Sequence, residues 1–260
     1  MAEYGLMVAP NGARRRRGDH PQLPVTARQT AETAAACFAA GAQALHLHVR
    51  DDEGRHSLDA GRYREALDAV RESAPGMMVQ ITTESAGLYD VAAQLACLEA
   101  LRPAAASVSV REIARDARLA ARAYAVSLEA GTAVQHILYG PDCIAQLCAW
   151  YRDGTVPAAM RDAIFVLGKY SPPLLARPAG LAAFRDATAN LHLNWTVCAF
   201  GRHEQACLLA AVAAGGDARI GFENNIETPQ GGLLADNAAS VAAFVQAAKA
   251  RGHTPKECRS

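Results

Sequence analysis

Apolar positions along this chain follow two alternating rhythms. Short aliphatic runs read as strands: "YGLMVA" (4–9), "ALHLHV" (44–49), "MMVQIT" (77–82), "AASVSV" (105–110), "AVQHIL" (133–138), "AIFVLG" (163–168), "NWTVCA" (194–199) and "ARIGF" (218–222). Between them lie longer segments with helical spacing, such as "TARQTAETAAACFAA", "DAGRYREALDAVRES" and "LYDVAAQLACLEAL". Thr26 followed by Gln29 predicts a capping box at the start of the first helix, and Gly41 follows its end. Gly131 and Gly252 mark comparable stops. Eight strands alternating with helices in 260 residues predict an α/β chain folded as a (β/α)8 TIM barrel. An open doubly wound sheet is the rival, but "APNGARRRRGD" after the first strand is not the glycine fingerprint of a nucleotide site. No repeat, linker or low-complexity stretch divides the chain, so residues 1–260 are expected to form a single domain.

Composition narrows the function classes. Hydrophobic residues make up 51% of the chain, enough for a sizeable core. The 26 basic and 26 acidic side chains balance, which gives no reason to expect a nucleic acid or an anionic membrane as partner. The basic run "ARRRRGD" is therefore read as a solvated or substrate-facing loop. Seven cysteines (37, 97, 143, 148, 198, 207 and 258) are odd in number and lack a C-x-x-C pair, as expected of small buried residues in a reducing compartment. No apolar stretch approaches the roughly 18 residues needed to span a bilayer. At the N-terminus the apolar run precedes the basic one, the reverse of a signal peptide, and a cytoplasmic location is expected.

Chemistry gathers first at His46 and His48. Side chains alternate along a strand, so the two imidazoles project to one face with Cα atoms about 6.6 Å apart. Leu45, Leu47 and Val49 then face the outer helices. The pair lies near the C-terminal end of strand two, where barrel active sites are built. There both rings can reach one Zn²⁺ at about 2.0–2.1 Å; the competing reading is a pair of hydrogen-bonded core histidines. "ARIGFENN" offers a further ligand, since alternation puts Arg219, Gly221 and Glu223 on one face. Even-numbered strands fill the same barrel layers, so strands two and eight can bring His46, His48 and Glu223 together. A His2Glu set leaves coordination positions open, as a catalytic zinc requires. Arg50 and Asp51 are expected to pair at the barrel mouth. The remaining histidines, His20, His56, His136, His192, His203 and His253, show no partner spacing.

The segments "VAPNGA", "HLHVRDDEGRHSLD", "VQITTE", "FVLG" and "GGDARIGFENN", in that order, resemble the β-keto acid cleavage enzymes across almost the whole chain. The resemblance implies a (β/α)8 barrel, usually a homotetramer, with Zn²⁺ on His46, His48 and Glu223. It also implies a reversible Claisen-type exchange in which a β-keto acid and acetyl-CoA become acetoacetate and a new acyl-CoA. Arg219 matches the active-site arginine. Thr82 and Ser107 match hydroxyls that hold the substrate carboxylate, and Thr83 is adjacent. Three positions depart from the family pattern. Asn224 stands where "GFEDN" has the aspartate that works with the arginine in removing the proton. Glu84 stands where glycine is usual and shares a face with Gln80 and Thr82, which makes it the candidate replacement base. Arg14 occupies the position of a glutamate that binds a substrate amino group, so a neutral or anionic β-keto acid is expected. Two alternatives remain open: a zinc hydrolase of the amidohydrolase type, and a non-catalytic acyl-CoA or metabolite binder.

Overall fold

The computed structural model describes residues 2–256; Cys258 lies outside them. Eight strands form a closed barrel: β1 (Leu6–Val8), β2 (Ala44–Leu47), β3 (Met78–Thr82), β4 (Ala105–Ser109), β5 (Ala133–Leu138), β6 (Asp162–Leu167), β7 (Asn194–Ala199) and β8 (Asp217–Ile220). Each pairs in parallel with the next, and β8 closes onto β1 through Ala218–Leu6, Arg219–Met7 and Ile220–Val8. The eight predicted strands are all present. Two short pairings escaped the sequence pattern, because two or three residues carry no periodicity. Ala2–Tyr4 runs parallel to His253–Pro255, and Val49–Arg50 pairs antiparallel with His56–Ser57. The first predicted strand is thus split at Gly5, whose N–H donates to the Asp217 carboxylate at 2.6 Å.

The first helix starts where the sequence signal puts it. Ahead of Ala27–Ala39, the Thr26 hydroxyl accepts from Gln29 N–H and the Gln29 side chain accepts from Thr26 N–H, each at 3.2 Å. Asp59 and Asp90 cap Ala60–Ser73 and Val91–Leu101 by accepting from the N–H of Arg62 and of Ala93, so the third helix begins after its aspartate. Gly131 ends Ala117–Ala130 in the left-handed region at φ 69°. No helix among the described residues is long and apolar enough to cross a membrane.

Burial sorts the strand residues into two faces. Leu45 and Leu47 of β2 pack outward with Ala34, Cys37 and Tyr63 of the surrounding helices. Inside the barrel, alternate strands contribute layers. Gln80 (β3), Gln135 (β5) and Thr196 (β7) make one such layer, joined by hydrogen bonds of 3.2 Å from Gln80 to Gln135 and from Gln135 to Thr196. Ile137, Ile164, Val166 and Cys198 form a small apolar cluster of their own. The six described cysteines are unpaired, five of them buried.

Two local expectations are corrected. Strand β8 ends at Ile220, so Arg219, Gly221 and Glu223 do not share a strand face. Gly221 takes φ +138°, and a Cβ there would collide with the Ala9 carbonyl oxygen. The kink starts a turn in which Asn224 N–H donates to Gly221 and Glu223 N–H donates to the Ala9 carbonyl, and this turn carries Glu223 to the mouth. The second correction concerns Arg50 and Asp51, which do not pair. Asp51 binds Arg55 at 2.7 Å, whereas Arg50 is buried and donates to the carbonyls of Gly12, Arg15 and Gly54. Burial favours this arrangement, since carbonyls accept from both terminal guanidinium nitrogens and tie the arginine loop to the segment that follows β2.

Candidate metal centre and active site

The C-terminal ends of the strands enclose a cavity of about 140 Å³ lined by Arg14, His46, Glu84, Arg219 and Glu223 among others. His46 ends its ring inside the barrel from β2, and His48 follows one residue beyond the strand. Glu223 Oε2 lies 3.7 Å from His46 Nε2 and 3.6 Å from His48 Nε2. Two donors each about 2.1 Å from a tetrahedral zinc stand about 3.4 Å apart, so this spacing is that of ligands around one ion. His48 Nε2 and Glu223 Oε2 are buried without a hydrogen-bond partner. Leaving such atoms unpaired is costly unless something else binds them. Among the described residues, His46, His48 and Glu223 form the one cluster of metal-competent side chains. The donor set fits a divalent metal.

The surroundings prepare these groups for that role. Gln80 Oε1 lies 2.8 Å from His46 Nδ1, so the ring donates there and presents the Nε2 lone pair to Glu223 and the cavity. Burial, followed by the charge of Arg219, holds His46 well below the ordinary imidazole value and keeps it neutral. Metal ligation requires that form. Burial also works against ionisation of Glu223, but the charge of Arg219 leads the neighbouring groups that outweigh it and keep the carboxyl well below the usual range. Arg219 donates to Glu223 Oε1 at 3.3 Å and reaches Asn224 Oδ1 at 3.5 Å.

Glu84, just past β3, stands 3.9 Å from His48 Nε2 and lines the cavity. Burial lifts its carboxyl above the usual range, against the pull of His48. Two carboxyls in one site are thereby driven in opposite directions, the arrangement that separates a proton-accepting group from a charge-holding one. The Glu84 backbone is fixed at both ends. Its N–H donates to Thr82 Oγ1 at 3.1 Å, and its carbonyl accepts from His56 Nε2 at 2.6 Å. Sequence reasoning missed His56, because its approach depends on the short pairing of Val49–Arg50 with His56–Ser57. Burial, then the neighbouring His48, takes the His56 imidazole down to about 3.

Other predicted residues are placed differently. Ser107 Oγ donates to Thr82 Oγ1 at 3.0 Å, and Thr83 Oγ1 donates to the Ser107 carbonyl at 3.1 Å; all three are buried and none lines the cavity. Asn224 is buried behind Arg219, with its Nδ2 unpartnered, and is likewise absent from the lining. Arg14 does reach the lining, while Arg15 turns over the Tyr170 ring at 5.3 Å and Arg17 stays in solvent. The turn that carries Glu223 rests on Glu204, a buried residue with no signal in the sequence. Its two oxygens accept from Gly221 N–H at 3.1 Å and from the Asn225 amide at 3.4 Å.

The sequence model of the β-keto acid cleavage enzymes matches residues 5–260. The chain is 28% identical to the 3-keto-5-aminohexanoate cleavage enzyme of Fusobacterium nucleatum over 271 residues, spanning 100% of this chain and 97% of that protein. It is 28% identical to the 3-oxoadipate:acetyl-CoA acetyltransferase of Cupriavidus necator over 251 residues, spanning 91% of this chain and 85% of that protein. The solved ternary complex of ObcA with a C4-CoA adduct and oxalate superposes with a TM-score of 0.67 at 16% identity. That match covers 91% of this chain and 65% of the longer ObcA chain.

Proposed function

The chain belongs to the β-keto acid cleavage enzyme family, and from that premise we propose that it is a zinc-dependent enzyme exchanging the acyl part of a β-keto acid with acetyl-CoA. The observation that carries the zinc is the convergence of His46 Nε2, His48 Nε2 and Glu223 Oε2, two of them buried without partners. A bound zinc supplies Lewis acidity toward the keto oxygen and carboxylate of the substrate.

The protein's own groups handle charge and protons. Glu84, held above the usual carboxylate range, takes the C2 proton. The Arg219 guanidinium, fixed against Glu223, stabilises the negative charge that develops as the proton leaves. Asn224 serves by accepting from Arg219; its amide is no base. The C2 carbanion attacks the acetyl carbonyl and expels CoA thiolate. The thiolate then attacks C3, the C2–C3 bond breaks, the carbanion left on C2 takes the proton back from Glu84, and acetoacetate leaves with the new acyl-CoA. Thr82 and Ser107 contribute through the Thr82 hydroxyl that fixes the Glu84 N–H, with Thr83 bonded to the same segment of β4.

The curated relatives are named for an amino-bearing substrate and for a dicarboxylic one. Arg14 on the cavity wall favours the neutral or anionic side of that range. A homotetramer in the cytoplasm belongs to the same reading. The test is a coupled assay of purified protein with acetyl-CoA over a panel of β-keto acids, with and without chelator, alongside His46→Ala. Chelator-sensitive acetoacetate formation and metal loss in the variant are expected. Full metal content in His46→Ala, or no turnover of any β-keto acid, would overturn the proposal.

A further inference from the structure

Charge is distributed unevenly along the catalytic cavity. At its inner end the carboxylates of Glu223 and Glu84 face two imidazoles and Arg219. Further along the same lining come Arg14, Arg111 and Lys169. Among the described residues, none of these three has a carboxylate within 4.0 Å. Four cationic side chains therefore line a space that holds two carboxylates.

Arg111 is the most constrained of the three. It follows β4 directly, in the short helix Val110–Ile113, and its guanidinium carbon lies 3.4 Å from the centroid of the Tyr139 ring. Stacking of that closeness fixes the plane of the guanidinium and leaves its N–H edge free. A planar fork with free donors matches a carboxylate bidentately, and its prior ordering reduces the entropy lost on binding. Tyr139 lies beyond the end of β5, whose Ile137 also lines the cavity, so the stack belongs to the barrel framework and not to a free loop.

We propose that Arg111 on Tyr139, supported by Lys169 and Arg14, is a subsite for a second carboxylate at the far end of the substrate. The preferred substrate class is then the β-keto dicarboxylic acids. This rests on the proposed keto acid chemistry at His46, His48 and Glu223, because the first carboxylate and the keto group are assigned there. An ammonium at the far end would meet three like charges, and a neutral end would leave the fork unmatched.

The test compares a β-keto dicarboxylic acid with its ω-amide, which has the same length and shape but no distal charge. Wild type, Arg111→Gln and Arg111→Lys are measured by kcat/KM for each acid, by KM for acetyl-CoA, and by calorimetric binding of the acids to the zinc-loaded protein. Wild type should prefer the diacid by roughly 10- to 100-fold, the range for a hydrogen-bonded charge pair. Arg111→Gln should bring that ratio close to one, and Arg111→Lys should restore part of it. An unchanged ratio in Arg111→Gln would overturn the subsite, as would an effect confined to the KM for acetyl-CoA, which would assign Arg111 to the CoA phosphates. The binding arm separates the two proposals. Selective binding that Arg111→Gln abolishes, without turnover, would uphold the subsite and sink the keto acid chemistry.

Discussion

The two mouths of this barrel make opposite use of space. The basal mouth, at the N-terminal strand ends, opens into a cavity of about 450 Å³, three times the size of the catalytic one. It is roomy because small residues, Gly5, Ala44, Ala105 and Ala133, stand at the strand starts. Yet its polar side chains are already matched. Gln80, Gln135 and Thr196 bond in sequence, Asn194 donates to Asp162, and Lys256 binds Asp217. The catalytic mouth is smaller and leaves His48, Glu223, Arg219 and Asn224 with unpartnered atoms. Volume locates a hole; unfinished hydrogen bonding locates chemistry.

The strongest way to break the contrast is to remove the proposed base. Glu84→Gln keeps the shape of the catalytic mouth and should slow C2 hydrogen exchange of a bound β-keto acid by 10²- to 10⁴-fold, the usual loss for a general base. An unchanged exchange rate, followed by NMR in deuterated water, would move the base elsewhere. A smaller effect should come from Gln80, the residue through which the two mouths communicate. Gln80→Leu removes the acceptor for His46 Nδ1 and should weaken zinc binding roughly 10- to 100-fold in a chelator competition, while Gln80→Glu should retain it. Equal affinities in all three proteins would show that His46 needs no such support.

Glu204, under the turn that carries Glu223, gives a pH signature. Burial pushes its carboxyl up to about 8 from the ordinary 4.5, so the folded chain holds a proton that the unfolded chain releases. Its contribution is complete below pH 4.5 and is lost as pH rises through about 8. Urea midpoints in chelator should fall across that window by the equivalent of about 4 kcal/mol, and Glu204→Gln should flatten the slope. The smallest effect belongs to the base. Ala133→Leu fills part of the larger cavity and should leave kcat/KM within about twofold, as surface substitutions away from a site usually do. A large loss there would show that the basal cavity takes part in catalysis.

Much of this contrast was legible in the sequence. The eight strands and the capped helices follow from apolar spacing and local hydrogen bonding, both of which act over a few residues. The pair His46 and His48 was legible for the same reason, since alternation fixes their common face. Glu223 was found by its residue type, but its route was not, because Gly221 at φ +138° abandons the alternation that the pattern assumed. Gln80, His56 and Arg111 were invisible as site residues. Each acquires meaning from a partner distant in sequence: His46 for Gln80, the Glu84 carbonyl for His56, and the Tyr139 ring for Arg111. One-dimensional spacing carries no information on such pairs.

The closure of β8 onto β1 has a consequence for timing. The histidines emerge early in synthesis, whereas Glu223 emerges only after the last barrel strand. At elongation rates of about 5–20 residues per second, on the order of ten to thirty seconds separate them. During that interval the two imidazoles have neither the carboxylate nor the closed wall that Arg219 and Ile220 form against Met7 and Val8. The proposed ligand set comes together only once the ring has closed, so tight metal retention would report a finished barrel, and a stalled or truncated chain would carry its histidines without the means to keep an ion.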